Sequence, residues 1–285
     1  GNQLVQVGGS FNSLMGTAVI FLTGVFVPSI VDAKISQVFP LMGIALAIFA
    51  VAFVVVLFTN IPENAPAAAV KGEKSEYGPM SFRHFVLGAI AIFIYVGVEV
   101  GIPNVLQKWL NFVSTPAIAG TVTATYWLLM LVGRLAGAAL GAKVSAKTML
   151  SVVSAVGACL TLGAIFLSPE TMVNLPVFKG TAGFGMASVP VNAALLVLCG
   201  LCTSVMWGGI FNLAVEGLGK YTEKASGIFM ALVCGGGILP FVQNWVVDLT
   251  GDYLVSYWIV VAGLAYLLYY ALIGSKNVNT NIKVD

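Results

Sequence analysis

Windows of roughly 20 or more residues without a charged side chain recur along almost the whole chain, and they limit the possible fold more than any other feature. A helix needs about 20 consecutive apolar residues to cross a bilayer. Only 8% of the residues are charged, against about a quarter in soluble domains, so a water-soluble fold could not cover the apolar surface. The sequence therefore predicts an all-α polytopic membrane protein. The windows are 1–31, 35–62, 109–133, 148–169, 180–215, 225–247 and 253–275, together with 81–110, which carries Glu99 in its middle.

The same sequence excludes several other classes of protein. The windows are continuous and lack the alternation of an outer-membrane β-barrel. A net charge of +2 without a basic cluster offers no phosphate-binding surface for nucleic acid. The single histidine, His84, and four cysteines within apolar windows form no metal-ligand cluster, and no catalytic triad or P-loop is present. We therefore predict a protein that is not an enzyme and holds no metal or cofactor.

The windows predict eight transmembrane helices in an uneven arrangement of two and six. Residues 61–80, rich in Pro, Ala and charge, form a polar linker between the second and third helices. We expect residues 1–60 to be the last two helices of an N-terminal lobe, 61–80 a central cytoplasmic loop, and 81–285 a six-helix C-terminal lobe with a short tail. The predicted helices are 4–28, 37–60, 82–110, 118–141, 148–167, 184–215, 225–247 and 253–274.

The distribution of Lys and Arg predicts the orientation. If the linker is cytoplasmic, ten of the 13 basic residues lie on the cytoplasmic side, as the positive-inside rule requires. Only Lys34, Lys108 and Lys179 lie outside. Both ends of the chain are then cytoplasmic, and the protein is expected in the cell's inner (plasma) membrane.

The first predicted helix carries a polar stripe. Gln3, Gln6, Ser10, Ser13 and Thr17 fall within an arc of about 80° at the helical period. Polar side chains facing lipid are costly, so the stripe faces protein or a water-filled cavity. Interhelical hydrogen bonding would explain the stripe, but two glutamines favour a substrate site.

Gln6 is our candidate from this stripe. Asn12 belongs to the neighbouring SFNS sequence and lies opposite the stripe, so it is a secondary candidate.

The third predicted helix contains a carboxylate within the membrane. Glu99 and Tyr95 share a helical face, and Asn104 and Gln107 follow close behind. Pro103 interrupts the backbone hydrogen bonds, and a discontinuous helix with amides beside the break is typical of transporter binding sites. We therefore expect these residues to line a polar-substrate site. The alternative is that Glu99 pairs with a hydroxyl or an indole to fix helix packing.

The sixth predicted helix combines an indole with an amide. Ser204, Gly208 and Asn212 share a face beside Trp207. An aromatic face for stacking, with hydrogen-bonding groups nearby, suits a sugar ring. Close helix packing around a buried indole explains the same pattern equally well.

Three glycines and a proline in the seventh predicted helix suggest a hinge. Because glycine and proline weaken a helix, this segment could bend during gating, although tight packing is the alternative. The predicted hinge residues are Gly235, Gly236, Gly237 and Pro240. Gln243 and Asn244 follow as secondary cavity candidates.

A seam of small residues marks the fourth predicted helix, where Gly133, Gly137 and Gly141 repeat at four-residue spacing. Arg134 beside this seam is expected near the cytoplasmic edge, where it anchors a loop or extends into the interface.

Several of these stretches together resemble the fucose–galactose–glucose symporter family of the major facilitator superfamily. VQVGGSFNSLMGT is similar to the start of its fifth helix, and FIYVGVEVGIPNVLQKWL to its seventh. MWGGIFNLAVEGLGKYTEKASG resembles the end of the tenth helix, and GGGILPFVQNWVVDLTGDY the eleventh. The resemblance spans almost the whole chain and implies helices five to twelve of a twelve-helix fold.

The resemblance implies symport of a monosaccharide, such as glucose, galactose or fucose, by alternating access between two lobes. The partners are then a small sugar and the lipid bilayer, and the protein is expected to act as a monomer. The family's coupling acids lie on its first and fourth helices, so proton coupling is implied by analogy, with sodium as the alternative.

Two other functions remain open from the sequence. One is transport of another polar solute, such as a nucleoside or organic anion, and the other is a non-transport role as a membrane enzyme or assembly subunit. An anion site favours a basic residue within the membrane, and the expected position of Arg134 at the edge argues against it.

Overall fold

The architecture comes from a computed structural model that describes residues 14–15, 18–19, 35–59, 77–141, 143–179, 183–279, 281, 282 and 284. Within these residues, seven helical segments are long and apolar enough to cross a membrane. Most of the first predicted helix, including Gln6 and Asn12, lies outside the described residues. The elements are α1 (Phe39–Phe58), α2 (Arg83–Val113), α3 (Pro116–Leu140), α4 (Ala146–Phe166), β1 (Met172–Phe178), β2 (Phe184–Pro190), α5 (Val191–Thr203), α6 (Met206–Val215), α7 (Thr222–Ala231), α8 (Gly235–Thr250) and α9 (Trp258–Tyr269).

The charge-free windows identify the membrane helices well. Six of the predicted spans coincide with described helical segments to within a few residues at most ends, because hydropathy and length depend little on tertiary packing. The α1 helix has no buried residue, whereas the helices from α2 onward share one core.

The α2 helix is the centre of the bundle and is continuous from Arg83 to Val113. The predicted break at Pro103 is therefore wrong. Proline removes the hydrogen bond to the carbonyl four residues earlier, which here belongs to Glu99. The Tyr126 hydroxyl from α3 donates to that carbonyl at 3.1 Å, so a neighbouring helix supplies the donor that the backbone lost.

Two further tyrosines bind the α2 backbone in the same way. The Tyr257 hydroxyl donates to the Ile102 carbonyl at 3.0 Å, and the Tyr266 hydroxyl donates to the Leu87 carbonyl at 3.0 Å. Including Tyr126, hydroxyl groups from α3 and from the last described span, Val255–Gly274, therefore fix the position of α2.

The fifth described span is divided into α5 and α6 by a turn at Ser204 and Val205. The glycine seam of α3 packs against this turn. A Cβ on Gly133 would collide with the Ser204 side chain, so the predicted structural role of the seam is consistent with the close approach of the two segments.

An antiparallel β-hairpin precedes α5, and it corrects the predicted start of the helix at residue 184. Strands β1 and β2 pair from Met172 with Pro190 to Phe178 with Phe184. Pro190 lacks a backbone donor and occupies the N-cap position of α5 without a side-chain capping bond. The apolar sequence of β2 extends the charge-free window without being helical, so hydropathy gave no sign of the boundary. The Thr121 hydroxyl and the backbone of Phe178 tie the hairpin to α3.

Candidate functional site

The Glu99 carboxylate forms an ion pair inside the bundle. The Arg134 guanidinium donates from Nη2 to Glu99 Oε1 at 2.9 Å, and the two side chains are only 7% and 9% exposed. The predicted location of Arg134 at the membrane edge is therefore wrong. Because its charge is paired with Glu99, Arg134 brings no net positive charge into the membrane interior.

Aromatic and hydroxyl side chains surround the ion pair. The Tyr126 oxygen lies 2.9 Å from Thr203 Oγ1, so the tyrosine that binds the Glu99 carbonyl also contacts α5. Tyr95 lies beside Glu99, and its ring meets the Trp207 ring edge-on at a centroid distance of 6.3 Å. The ion pair therefore lies where α2, α3 and the fifth span meet.

A cleft of about 160 Å³ opens between α2 and α3, and two of the predicted site residues line it. We call it the α2–α3 cleft. Asn104 and Gln107 contribute amides to this lining, and their role in substrate binding stays a prediction. The analysis of single helices missed Thr123 and Trp127, whose spacing of four residues places them on one face of α3. The complete lining is Val100, Pro103, Asn104, Gln107, Thr123 and Trp127.

One side of the α2–α3 cleft is held by a chain of hydrogen bonds to α8. Lys108 Nζ donates to Asn244 Oδ1 at 2.8 Å, and Asn244 Nδ2 donates to Asn104 Oδ1 at 3.0 Å. The secondary candidate Asn244 therefore fixes the orientation of Asn104. It also brings the Lys108 ammonium group close to the cleft.

The remaining polar groups of the cleft have no hydrogen-bond partner in the part of the chain that the structure describes. The Thr123 hydroxyl is buried and unpaired. Nothing in the described residues binds the Gln107 amide or the Trp127 indole N–H. Buried polar groups normally have partners, so the Thr123 hydroxyl is the exception here, and the partly exposed Gln107 and Trp127 side chains are available to a polar ligand.

The other predicted site residues lie outside this cleft. Glu99 lies behind it on α2 and contacts Arg134. Trp207 packs between Tyr95 and the Phe229 ring, which lies 6.2 Å from the indole. Asn212 lines a different cleft at the opposite end of the bundle. The Gln243 amide is buried and donates to Ser256 Oγ at 3.3 Å, so it connects α8 to the next segment.

A change of helix type directly precedes the predicted hinge residues. A 3₁₀ turn, Leu232–Cys234, separates α7 from α8, and α8 continues through Pro240. A Cβ on Gly235 would collide with the backbone of Phe93 on α2, whereas a Cβ on Gly237 would meet no atom within 4 Å. Close packing thus explains Gly235, and a hinge role for this segment stays a prediction.

The chemistry of the α2–α3 cleft suits a neutral ligand rich in hydroxyl groups. Amides, a hydroxyl and an indole N–H can donate or accept hydrogen bonds without a formal charge. The apolar faces of Trp127 and Pro103 provide a contact for carbon-bound hydrogens. Within the described residues, no group of histidine, cysteine and acidic side chains could hold a metal ion.

Comparison with known proteins gives matches over most of the chain. A glucose/galactose transporter of Brucella abortus (strain 9-941) is 32% identical over 284 residues, covering 94% of this chain and 62% of the relative. The chain thus spans less than two thirds of the length of that relative. No family model matches the sequence.

Two solved structures share the fold. A major facilitator superfamily transporter, FucP, in the outward conformation has a TM-score of 0.70 at 19% identity, covering 97% of this chain and 69% of the other. A variant of the E. coli fucose:proton symporter FucP has a TM-score of 0.65 at 21% identity, covering 85% and 56%. In sequence the chain is therefore similar to a glucose/galactose transporter, and in fold it is similar to the two FucP structures.

Proposed function

We propose that the protein to which this chain belongs transports a monosaccharide across the membrane by alternating access, and that the α2–α3 cleft binds the sugar. The main support for this proposal is that the Gln107 amide and the Thr123 hydroxyl are uncharged hydrogen-bonding groups that lie beside the Trp127 indole and have no partner within the described residues. The relative in Brucella abortus is named a glucose/galactose transporter, and FucP is named a fucose:proton symporter. A hexose or deoxyhexose is therefore the substrate class that fits best.

The volume of the α2–α3 cleft is small enough that the cleft would form only one side of a sugar-binding site. Its volume of about 160 Å³ is below the roughly 300–1,000 Å³ of pockets that enclose drug-sized ligands. One sugar ring matches this scale, and its other face would meet the N-terminal lobe. Gln6, with Asn12 as a secondary candidate, is the contact that we propose from that side.

The organisation of the whole protein follows from the same proposal. Residues 1–60 provide the last two helices of the N-terminal lobe, 61–80 the central cytoplasmic loop, and 81–285 the C-terminal lobe. The protein acts as a monomer in the inner membrane, with both ends of this chain cytoplasmic. Coupling is to protons, by analogy with FucP, and sodium is the alternative that the transport assay must separate.

The experiment is sugar counterflow with the full-length protein in proteoliposomes, using a panel of labelled hexoses with and without sodium and a pH gradient. Gln107→Ala and Thr123→Val each remove one uncharged hydrogen-bonding group. We expect each substitution to weaken sugar affinity about two- to tenfold.

The matched control is Thr125→Val on the same helix. The Thr125 hydroxyl donates to the Thr121 carbonyl at 2.9 Å, and its side chain does not line the cleft. Equal sugar affinity in wild type, Gln107→Ala and Thr123→Val would show that this cleft is not the sugar site. Exchange of a nucleoside or an organic anion, but of no sugar, would overturn the proposed substrate.

A further inference from the structure

A second cleft lies at the end of the bundle where α4 begins and where α6 and α9 end. It is far larger than the α2–α3 cleft, at about 1000 Å³, and we call it the basal cleft. We propose that the basal cleft binds the headgroup of an anionic phospholipid. Its polar lining residues are Ser145, Lys147, Asn212, Glu216, Ser275, Lys276 and Asn277.

The charge of the basal cleft favours an anion. Lys147 lies on α4, Lys276 follows the last helical turn of the chain, and both line the same space. Both are exposed, and neither forms an ion pair within the described residues. Glu216 is the only acidic side chain among the lining residues, so the cleft carries an excess of positive charge.

The position of Lys147 strengthens this preference. It lies in the first turn of α4, after the N-cap residue Ser145, whose hydroxyl accepts a hydrogen bond from the Thr148 amide at 3.1 Å. A cation is unfavourable at a helix N-terminus, where the helix dipole favours negative charge. An anion between Lys147 and Lys276 would relieve this repulsion.

The apolar lining indicates a lipid as the source of the anion. Leu272 and Ile273 line the cleft and are 51% and 60% exposed. They lie in a π-helical turn, Tyr270–Gly274, that ends the last membrane-spanning segment. Exposed leucine and isoleucine at the end of a membrane helix face acyl chains, and Lys276 follows them where a headgroup would lie. Free phosphate would make no use of this apolar surface.

The surrounding charges agree with an anionic membrane surface. Among the described residues, this end of the bundle carries six basic side chains against two acidic ones. The anionic cytoplasmic leaflet attracts such segments, and each Lys or Arg near it increases binding about fivefold. The basic residues are Arg83, Lys143, Lys147, Lys220, Lys224 and Lys276, and the acidic ones are Glu216 and Glu223.

Native mass spectrometry of the full-length protein tests the proposal. Detergent-solubilised protein is given equal amounts of phosphatidylglycerol and phosphatidylcholine, and the ratio of the two bound lipids is measured. We expect wild type to retain phosphatidylglycerol preferentially. The K147Q/K276Q variant should lower the ratio at least about fivefold, because two of the attracting cations are lost.

Two further variants separate this site from general surface charge. K143Q/K224Q removes the same charge from exposed lysines that do not line the cleft, and it should lower the ratio far less than K147Q/K276Q does, because neither lysine would contact a bound headgroup. Glu216→Gln removes the acidic residue and should raise the ratio, a gain that misfolding would not produce.

Three outcomes would overturn the assignment. They are a wild-type ratio near one, an equal loss in the two double variants, and displacement of bound phosphatidylglycerol by inorganic phosphate at the ionic strength of a chloride control. The last outcome would identify a free-phosphate site.

Discussion

The ion pair between Glu99 and Arg134 yields the most informative prediction. Its side chains are almost fully buried, and 2.9 Å separates the interacting atoms. Glu99→Gln leaves the Arg134 cation buried without its partner, and Arg134→Gln leaves the carboxylate in the same situation. The double variant E99Q/R134Q removes both charges and keeps side chains that can hydrogen-bond to each other.

The expected cost follows from burial. At 2.9 Å and an effective dielectric constant of about 20, the attraction is worth about 6 kcal/mol before desolvation is subtracted. Removing one partner of a buried pair costs about 3–5 kcal/mol, whereas replacing both partners is often close to neutral. At about 2–4 °C per kcal/mol, each single variant should lower Tm by roughly 6–20 °C.

The assay is a double-mutant cycle on the full-length protein. Thermal stability is measured by fluorescence-detected size-exclusion chromatography, and uptake of a transported hexose is measured in proteoliposomes. Both single variants should show this decrease in Tm together with reduced uptake, and the double variant should recover stability. Single variants as stable as wild type, or a double variant as unstable as the single ones, would refute the electrostatic reasoning.

Uptake by the double variant then assigns the function of Glu99. Recovery of uptake would show that the pair acts by holding α2 against α3. Stable protein without uptake would show that the carboxylate itself is required for transport, as the sequence predicts for a residue of the sugar site.

Four other substitutions test the packing of α2. Tyr126→Phe leaves the carbonyl freed by Pro103 without its donor and should lower stability by about 1–3 kcal/mol, which a shift in Tm would detect. Pro103→Ala restores a backbone donor, so Tyr126→Phe should cost less in that background; an undiminished cost would contradict this explanation. Gly235→Ala forces a methyl group against the α2 backbone and should reduce the yield of folded protein, whereas Gly237→Ala should change it little; equal yields would argue against close packing at position 235.

The membrane helices could be predicted from the sequence because each one depends on local composition. A charge-free window of sufficient length must be a helix if it crosses lipid. The β-hairpin could not be predicted by this criterion. Its second strand is as free of charge as the helix that follows, and only pairing with residues 172–178 satisfies its backbone.

The candidate site could be predicted only in part, since the sequence shows which face of a helix is polar without showing what that face contacts. Asn104 and Gln107 could be identified as candidates from the sequence because amide side chains in an apolar membrane helix are costly unless they face protein or a polar cavity. The ion pair between Glu99 and Arg134 joins residues on two different helices. Their side chains meet only through the packing of α2 on α3, so composition and spacing could not reveal the pair.

The three tyrosine hydroxyls that bind the backbone of α2 have a consequence for how this protein can evolve. Tyr126, Tyr257 and Tyr266 donate to main-chain carbonyls, which every amino acid possesses. The position of the helix is therefore maintained by contacts that do not depend on the identity of its own side chains at those points. Mutations along α2 can alter the groups presented to a substrate while the scaffold stays in register, so new specificities can arise without a new architecture.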